Sequence, residues 1–172
     1  MGVTQNNFLL EFGDAFRKAF GDGTTWAGGQ AKANTGSLLT HQAGRRGGKY
    51  NEAERFELGD LTTVLHGRKI IIEFESKQVP ISNLLKYWPY LRGDLSTKPH
   101  MPVLVCHFSD WWSYGIYRDL WQWTLQRIQE DTACLYPIVG CQFDHGGNDD
   151  GLRKQSITEA LHWLQEQLNN TR

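Results

Sequence analysis

Gly59-Asp60-Leu61-Thr62-Thr63-Val64-Leu65-His66-Gly67-Arg68-Lys69-Ile70-Ile71-Ile72-Glu73-Phe74-Glu75-Ser76-Lys77 decides how the chain is read. The run Ile70-Ile71-Ile72 is apolar enough to be a buried strand. Its far end carries Glu73, Glu75 and Lys77 at every second position, and side chains alternate faces along a strand. All three charges therefore point the same way. Desolvating them beside a hydrophobic sheet is costly unless a metal ion or a substrate compensates. His66-Gly67 is a short hairpin signal, so residues 55–65 and 69–78 read as two paired strands. If Leu65 pairs with Arg68, Asp60 falls opposite Glu73, with Glu75 one same-face step beyond.

Outward from this hairpin the chain alternates helices and strands. Phe8, Leu9, Phe12, Phe16, Ala19 and Phe20 recur at helical spacing over 5–20. Residues 21–49 are rich in Gly, Thr, Asn, Ser and Gln, and read as a long irregular segment of the kind that is functional or disordered. A helix is expected from Pro80 to Leu91, with Pro89 disturbing its last turn. A buried strand is expected over 102–108, an aromatic-rich helix over 110–129, a strand over 134–143 and a helix over 152–169. This order predicts a single α/β domain with a central mixed sheet flanked by helices.

Composition narrows the function classes. With 172 residues the chain is long enough to bury a real core. A net charge of −1 places any nucleic-acid contact in local patches, not in a global field. No apolar run approaches the roughly 20 residues that span a bilayer, so no membrane is expected. The N-terminus lacks a basic region followed by an apolar core, so no signal peptide is read. Cys106, Cys134 and Cys141 are odd in number and without CxxC spacing, which reads as reduced cytoplasmic thiols. A zinc site from Cys134, Cys141 and His145 is the rival reading.

An aspartate and a glutamate facing each other across a hairpin can hold Mg²⁺, which prefers hard oxygen ligands and keeps several waters. A bound ion polarises a phosphoryl oxygen and acidifies a coordinated water. A lysine on the same face can position that water or stabilise charge on the phosphate.

Asp60, Glu75 and Lys77 in this arrangement resemble the PD-(D/E)xK nuclease superfamily, in which an Asp on one strand is followed after a hairpin by (D/E)-x-K on the next. Gly59 stands where the motif has proline. The resemblance covers roughly residues 5–90. It implies a restriction-endonuclease-like fold with an αβββαβ-type core and Mg²⁺-dependent cleavage of DNA, with Mn²⁺ as a substitute. It makes Asp60, Glu75 and Lys77 the catalytic set. Asp60, Glu75, Glu73 and Glu11, the last from the N-terminal helix, become the acids around the metal. Arg45, Arg46 and Lys49, set among glycines, match a loop that contacts the DNA backbone. Asn83-Leu84-Leu85-Lys86-Tyr87 matches a Q-x-x-x-Y element with Asn for Gln, placing Asn83 and Tyr87 among the nucleic-acid-binding residues. Glu73-Phe74-Glu75 fits a (D/E)-x-E variant of the same motif, so two overlapping triplets compete for one role. A homodimer is the arrangement by which a small nuclease cuts both strands. The rival from another class is a non-catalytic nucleic-acid-binding or assembly subunit that keeps the fold.

Other signals have plainer readings. The cluster Trp111, Trp112, Tyr114, Tyr117, Trp121 and Trp123 is read mainly as core, with base stacking or a dimer interface as alternatives. His107 reads as structural. His145 reads as part of a polar loop before the last helix, with a second metal site as the alternative.

Overall fold

A computed structural model describes residues 3–21, 58–76, 79–94 and 101–170. The chain folds as helix α1 (Val3–Phe20), strands β1 (Leu61–Leu65) and β2 (Arg68–Glu75), and short helices α2 (Ile81–Leu85) and α3 (Tyr87–Leu91). Strand β3 (Val103–Ser109), a 3-10 turn (Asp110–Ser113), helix α4 (Gly115–Glu130), strand β4 (Ile138–Phe143) and helix α5 (Asp150–Asn169) follow. The four strands form one mixed sheet in the order β1-β2-β3-β4. β1 is antiparallel to β2, and β2, β3 and β4 are mutually parallel.

The hairpin has the register its turn dictates. His66 and Gly67 both sit at positive φ, 51° and 71°, the conformation whose twist matches paired strands. Leu65 pairs with Arg68 and Leu61 with Ile72. Along β2, Ile70, Ile72 and Phe74 join the core made with α1 and α5, where Phe8, Phe12, Phe16, Ile157 and Leu164 are buried. Ile71 turns to the opposite core, built from Leu84, Tyr87, Trp121 and Ile128 on α2, α3 and α4. Each phenylalanine fully buried from α1 stabilises by roughly 1.5–3 kcal/mol. Alternation then sends Glu73 and Glu75 to the α2–α3 side.

Several elements depart from the sequence expectation. The helix over 80–91 breaks at Lys86 into two five-residue pieces. Pro89 has no N–H, and its ring collides with the carbonyl four residues back, that of Leu85. The helix over 110–129 opens as a 3-10 turn, because Ser109 Oγ accepts the Trp111 N–H and Trp112 turns inward to bond the His107 carbonyl. β4 begins at Ile138, not at Cys134. Residues before it serve other partners, with the Leu135 N–H bonded to Leu91 O at 2.8 Å and Pro137 lacking a donor. No helix among the described residues is long and apolar enough to cross a membrane.

Candidate active site

The acidic end of β2 lies at the carboxyl end of three parallel strands. Gly59 sets its edge. Its φ is +92°, and a Cβ there would lie 2.6 Å from Ile71 Cγ2 and 3.2 Å from the Ile72 carbonyl oxygen. Proline, fixed near φ −65°, is incompatible with this bend. The kink lets the Asp60 N–H bond the Ile72 carbonyl at 3.0 Å. The Asp60 carboxylate then extends the ladder, with Oδ2 accepting the Phe74 N–H at 2.8 Å.

Glu73 and Glu75 are buried to 2% and 7% exposure. The helix pair α2–α3 reaches both of them. The Tyr87 hydroxyl donates to Glu73 Oε1, and Lys86 Nζ lies 2.7 Å from the same oxygen. Asn83 Nδ2 donates to Glu75 Oε1. Asn83, Lys86 and Tyr87 share one helical face by their three- and four-residue spacing. Glu75 Oε2 is buried and has no hydrogen-bond partner among the described residues. Burial, then the nearby charges of Glu73 and Asp60, push the Glu75 carboxyl up to about 7, against a smaller opposing pull from Lys86. Burial and the Glu73 charge also raise the Tyr87 hydroxyl well above its ordinary value, so it stays a donor.

Behind Glu73 sits its neighbour in register, His107. Its ring is fully buried, and burial followed by the Lys86 charge lowers its pKa to about 3. His107 is therefore neutral, with Nδ1 accepting the Trp121 indole N–H at 2.9 Å. Trp121 reaches this position by crossing Gly140 on β4, where a Cβ would come 2.7 Å from its Cη2.

On the other face, Gln5 of α1 donates to the Phe74 carbonyl at 3.3 Å. Glu11, expected among the metal acids, is paired with a cation of α5. Arg153 of α5 grips its carboxylate through two hydrogen bonds of 2.7 and 3.0 Å. At the ends of β3 and β4, Ser76 Oγ lies 3.4 Å from Asp110 Oδ2. His145 Nε2 lies 3.6 Å from the same oxygen, while its Nδ1 accepts the Gly147 N–H.

The structure thus brings Asp60, Glu73, Glu75, Asn83 and Tyr87 together and pairs Glu11 with Arg153. Lys77, Arg45, Arg46 and Lys49 lie outside the described residues. The zinc alternative fails on geometry: Cys141 belongs to the α1–α5 side of the sheet and Cys134 to the opposite side. Among the described residues no cluster of three or more His, Cys, Asp or Glu side chains is arranged to hold a metal ion. Sequence reasoning missed Lys86, although it lies inside Asn83-Leu84-Leu85-Lys86-Tyr87. Its place three residues after Asn83 was the available signal. Comparison of the chain with family models, with curated proteins and with solved structures finds no match.

Proposed function

We propose that this chain is a Mg²⁺-dependent DNA endonuclease of restriction-endonuclease-like fold that hydrolyses phosphodiester bonds. The observation that carries the proposal is the buried Oε2 of Glu75, without a hydrogen-bond partner among the described residues, beside the carboxylates of Glu73 and Asp60. Crowded, desolvated carboxylates repel one another, and a divalent cation relieves that repulsion. Asp60 and Glu75 would hold the ion, each supplying hard carboxylate oxygen, and waters would complete its shell. When bound, Mg²⁺ or Mn²⁺ polarises the phosphoryl oxygen and acidifies a water.

Other residues prepare the site. Lys86 and Tyr87 already satisfy Glu73, which leaves Glu75 as the carboxylate with coordinating capacity and favours the Glu75-Ser76-Lys77 triplet. Asn83 orients Glu75. Lys77 completes the motif as the residue that positions the attacking water. The free cysteines accord with the cytoplasmic location that this reading includes, and a homodimer would let two such sites cut both strands.

A supercoiled plasmid is the test. Wild type is expected to nick it with Mg²⁺ or Mn²⁺ and not with EDTA, and Asp60→Ala and Lys77→Ala each abolish nicking. Full activity in both variants would sink the proposal. The second reading, a non-catalytic nucleic-acid-binding or assembly subunit, draws on the capture of Glu11 by Arg153. DNA binding without cleavage or metal uptake would favour it.

A further inference from the structure

We propose that the Lys86 ammonium is the resident second cation of the carboxylate cluster, so that each chain takes one divalent ion and not two. The first ion rests on the reading of Asp60 and Glu75 given above; the placement of Lys86 does not.

Lys86 stands where one short helix hands over to the next, closing α2 and opening α3, with its N–H on the Leu84 carbonyl. Leu84 and Tyr87 on either side of it are fully buried, which fixes the backbone here against the sheet. The Lys86 side chain is only 20% exposed. Its Nζ lies 2.7 Å from Glu73 Oε1 and 5.7 Å from the centre of the Tyr87 ring, whose face attracts a cation.

The charge of Lys86 is felt beyond Glu73. Burial and then the charges of Glu73 and Asp60 push the Glu75 carboxyl up, and Lys86 pulls the other way. After burial, Lys86 is also what holds the His107 imidazole down. An ammonium extended into water would be screened from these groups. This one is turned inward among them.

A second divalent ion sharing Glu75 would have to draw on Glu73, because Arg153 grips Glu11 through two hydrogen bonds. Glu73 Oε1 already receives the Tyr87 hydroxyl and the Lys86 ammonium, which fill its two lone pairs. The incoming ion would displace a donor and lie beside a like charge where water is largely excluded, and like charges repel strongly there. The first ion meets no such obstacle at Glu75 Oε2, which is buried without a hydrogen-bond partner among the described residues. Lys86 thus neutralises the carboxylate that a second ion would need.

The test is Mn²⁺ uptake by the full chain at pH 8, measured by equilibrium dialysis with the free ion counted by electron paramagnetic resonance. Wild type is expected to saturate at one ion per chain. Lys86→Met and Lys86→Gln remove the ammonium and leave Glu73 charged, and each is expected to take up two. Lys86→Gln keeps a donor for Glu73, so it stands in wherever Lys86→Met is too unstable to purify. Lys86→Arg keeps the charge and stays at one. Lys86→Met combined with Glu73→Gln removes the cation and its carboxylate together. That pair is expected to return to one ion, with a Kd within roughly tenfold of wild type.

Two ions per wild-type chain would overturn the role given to Lys86, as would a single ion in Lys86→Gln. So would loss of all uptake in the paired variant, because Glu73 would then be a ligand of the first ion. No uptake by wild type would remove the Asp60–Glu75 ion site itself and the role of Lys86 with it. The remaining negative results leave that site standing, so the two failures are distinct.

Discussion

Glu75→Gln should stabilise the metal-free protein above neutral pH while abolishing its response to divalent ions. The folded carboxyl titrates near 7 against 4.5 for an unperturbed one. Below pH 4.5 the group is protonated in both states and costs nothing. As pH rises from 4.5 to 7 the unfolded chain releases its proton first, so stability falls, and the full cost is present above 7. A shift of this size corresponds to about 3 kcal/mol, reduced by residual solvent screening to roughly 1–3 kcal/mol. The amide of the variant keeps an acceptor for Asn83 and replaces the orphaned oxygen with a donor that faces carboxylates. Urea melts in EDTA at pH 5 and pH 8 measure the difference. Glu75→Gln should exceed wild type by about 1–3 kcal/mol at pH 8, roughly 2–12 °C in Tm, and by much less at pH 5. Mn²⁺ at roughly 100 times its Kd should return about 2.7 kcal/mol to wild type and nothing to the variant. A variant less stable than wild type at pH 8, or a difference that does not vary with pH, would refute the reasoning.

Three other substitutions probe the scaffold. Lys86→Met strands a buried Glu73 charge and should cost about 3–5 kcal/mol by denaturant melt, with Glu73→Gln in the same chain recovering more than half. Gly59→Pro should lower stability by more than about 2 kcal/mol, because proline cannot take a φ of +92°. Gly140→Ala should cost roughly 1–3 kcal/mol by pushing Trp121 off β4, and a changed His107 ring resonance in NMR would show the lost indole contact.

The hairpin was legible because its determinants are local. The left-handed turn at His66-Gly67 and the alternation of β2 fix register and facing without distant partners. The helix pair and the 3-10 turn were less legible, since a proline's effect four residues upstream and the inward pull of Trp112 compete with simple periodicity. Glu11 shows a different limit. Its partner Arg153 lies 142 residues away, and nothing near Glu11 announces that pairing. The need for glycine at position 59 was not legible either, since it comes from a positive φ and the close approach of Ile71. Lys86 sat between two residues already singled out, yet its reach to Glu73 depends on the helix breaking where it does.

The claim at the centre of this account is that Asp60 and Glu75 share one divalent cation. Anomalous scattering from a Mn²⁺-soaked crystal tests it most directly. A peak coordinated by an Asp60 oxygen and by Glu75 Oε2 is expected, absent in Glu75→Gln. Carboxylates with no peak between them at saturating Mn²⁺, or a peak bound by other residues alone, would contradict it.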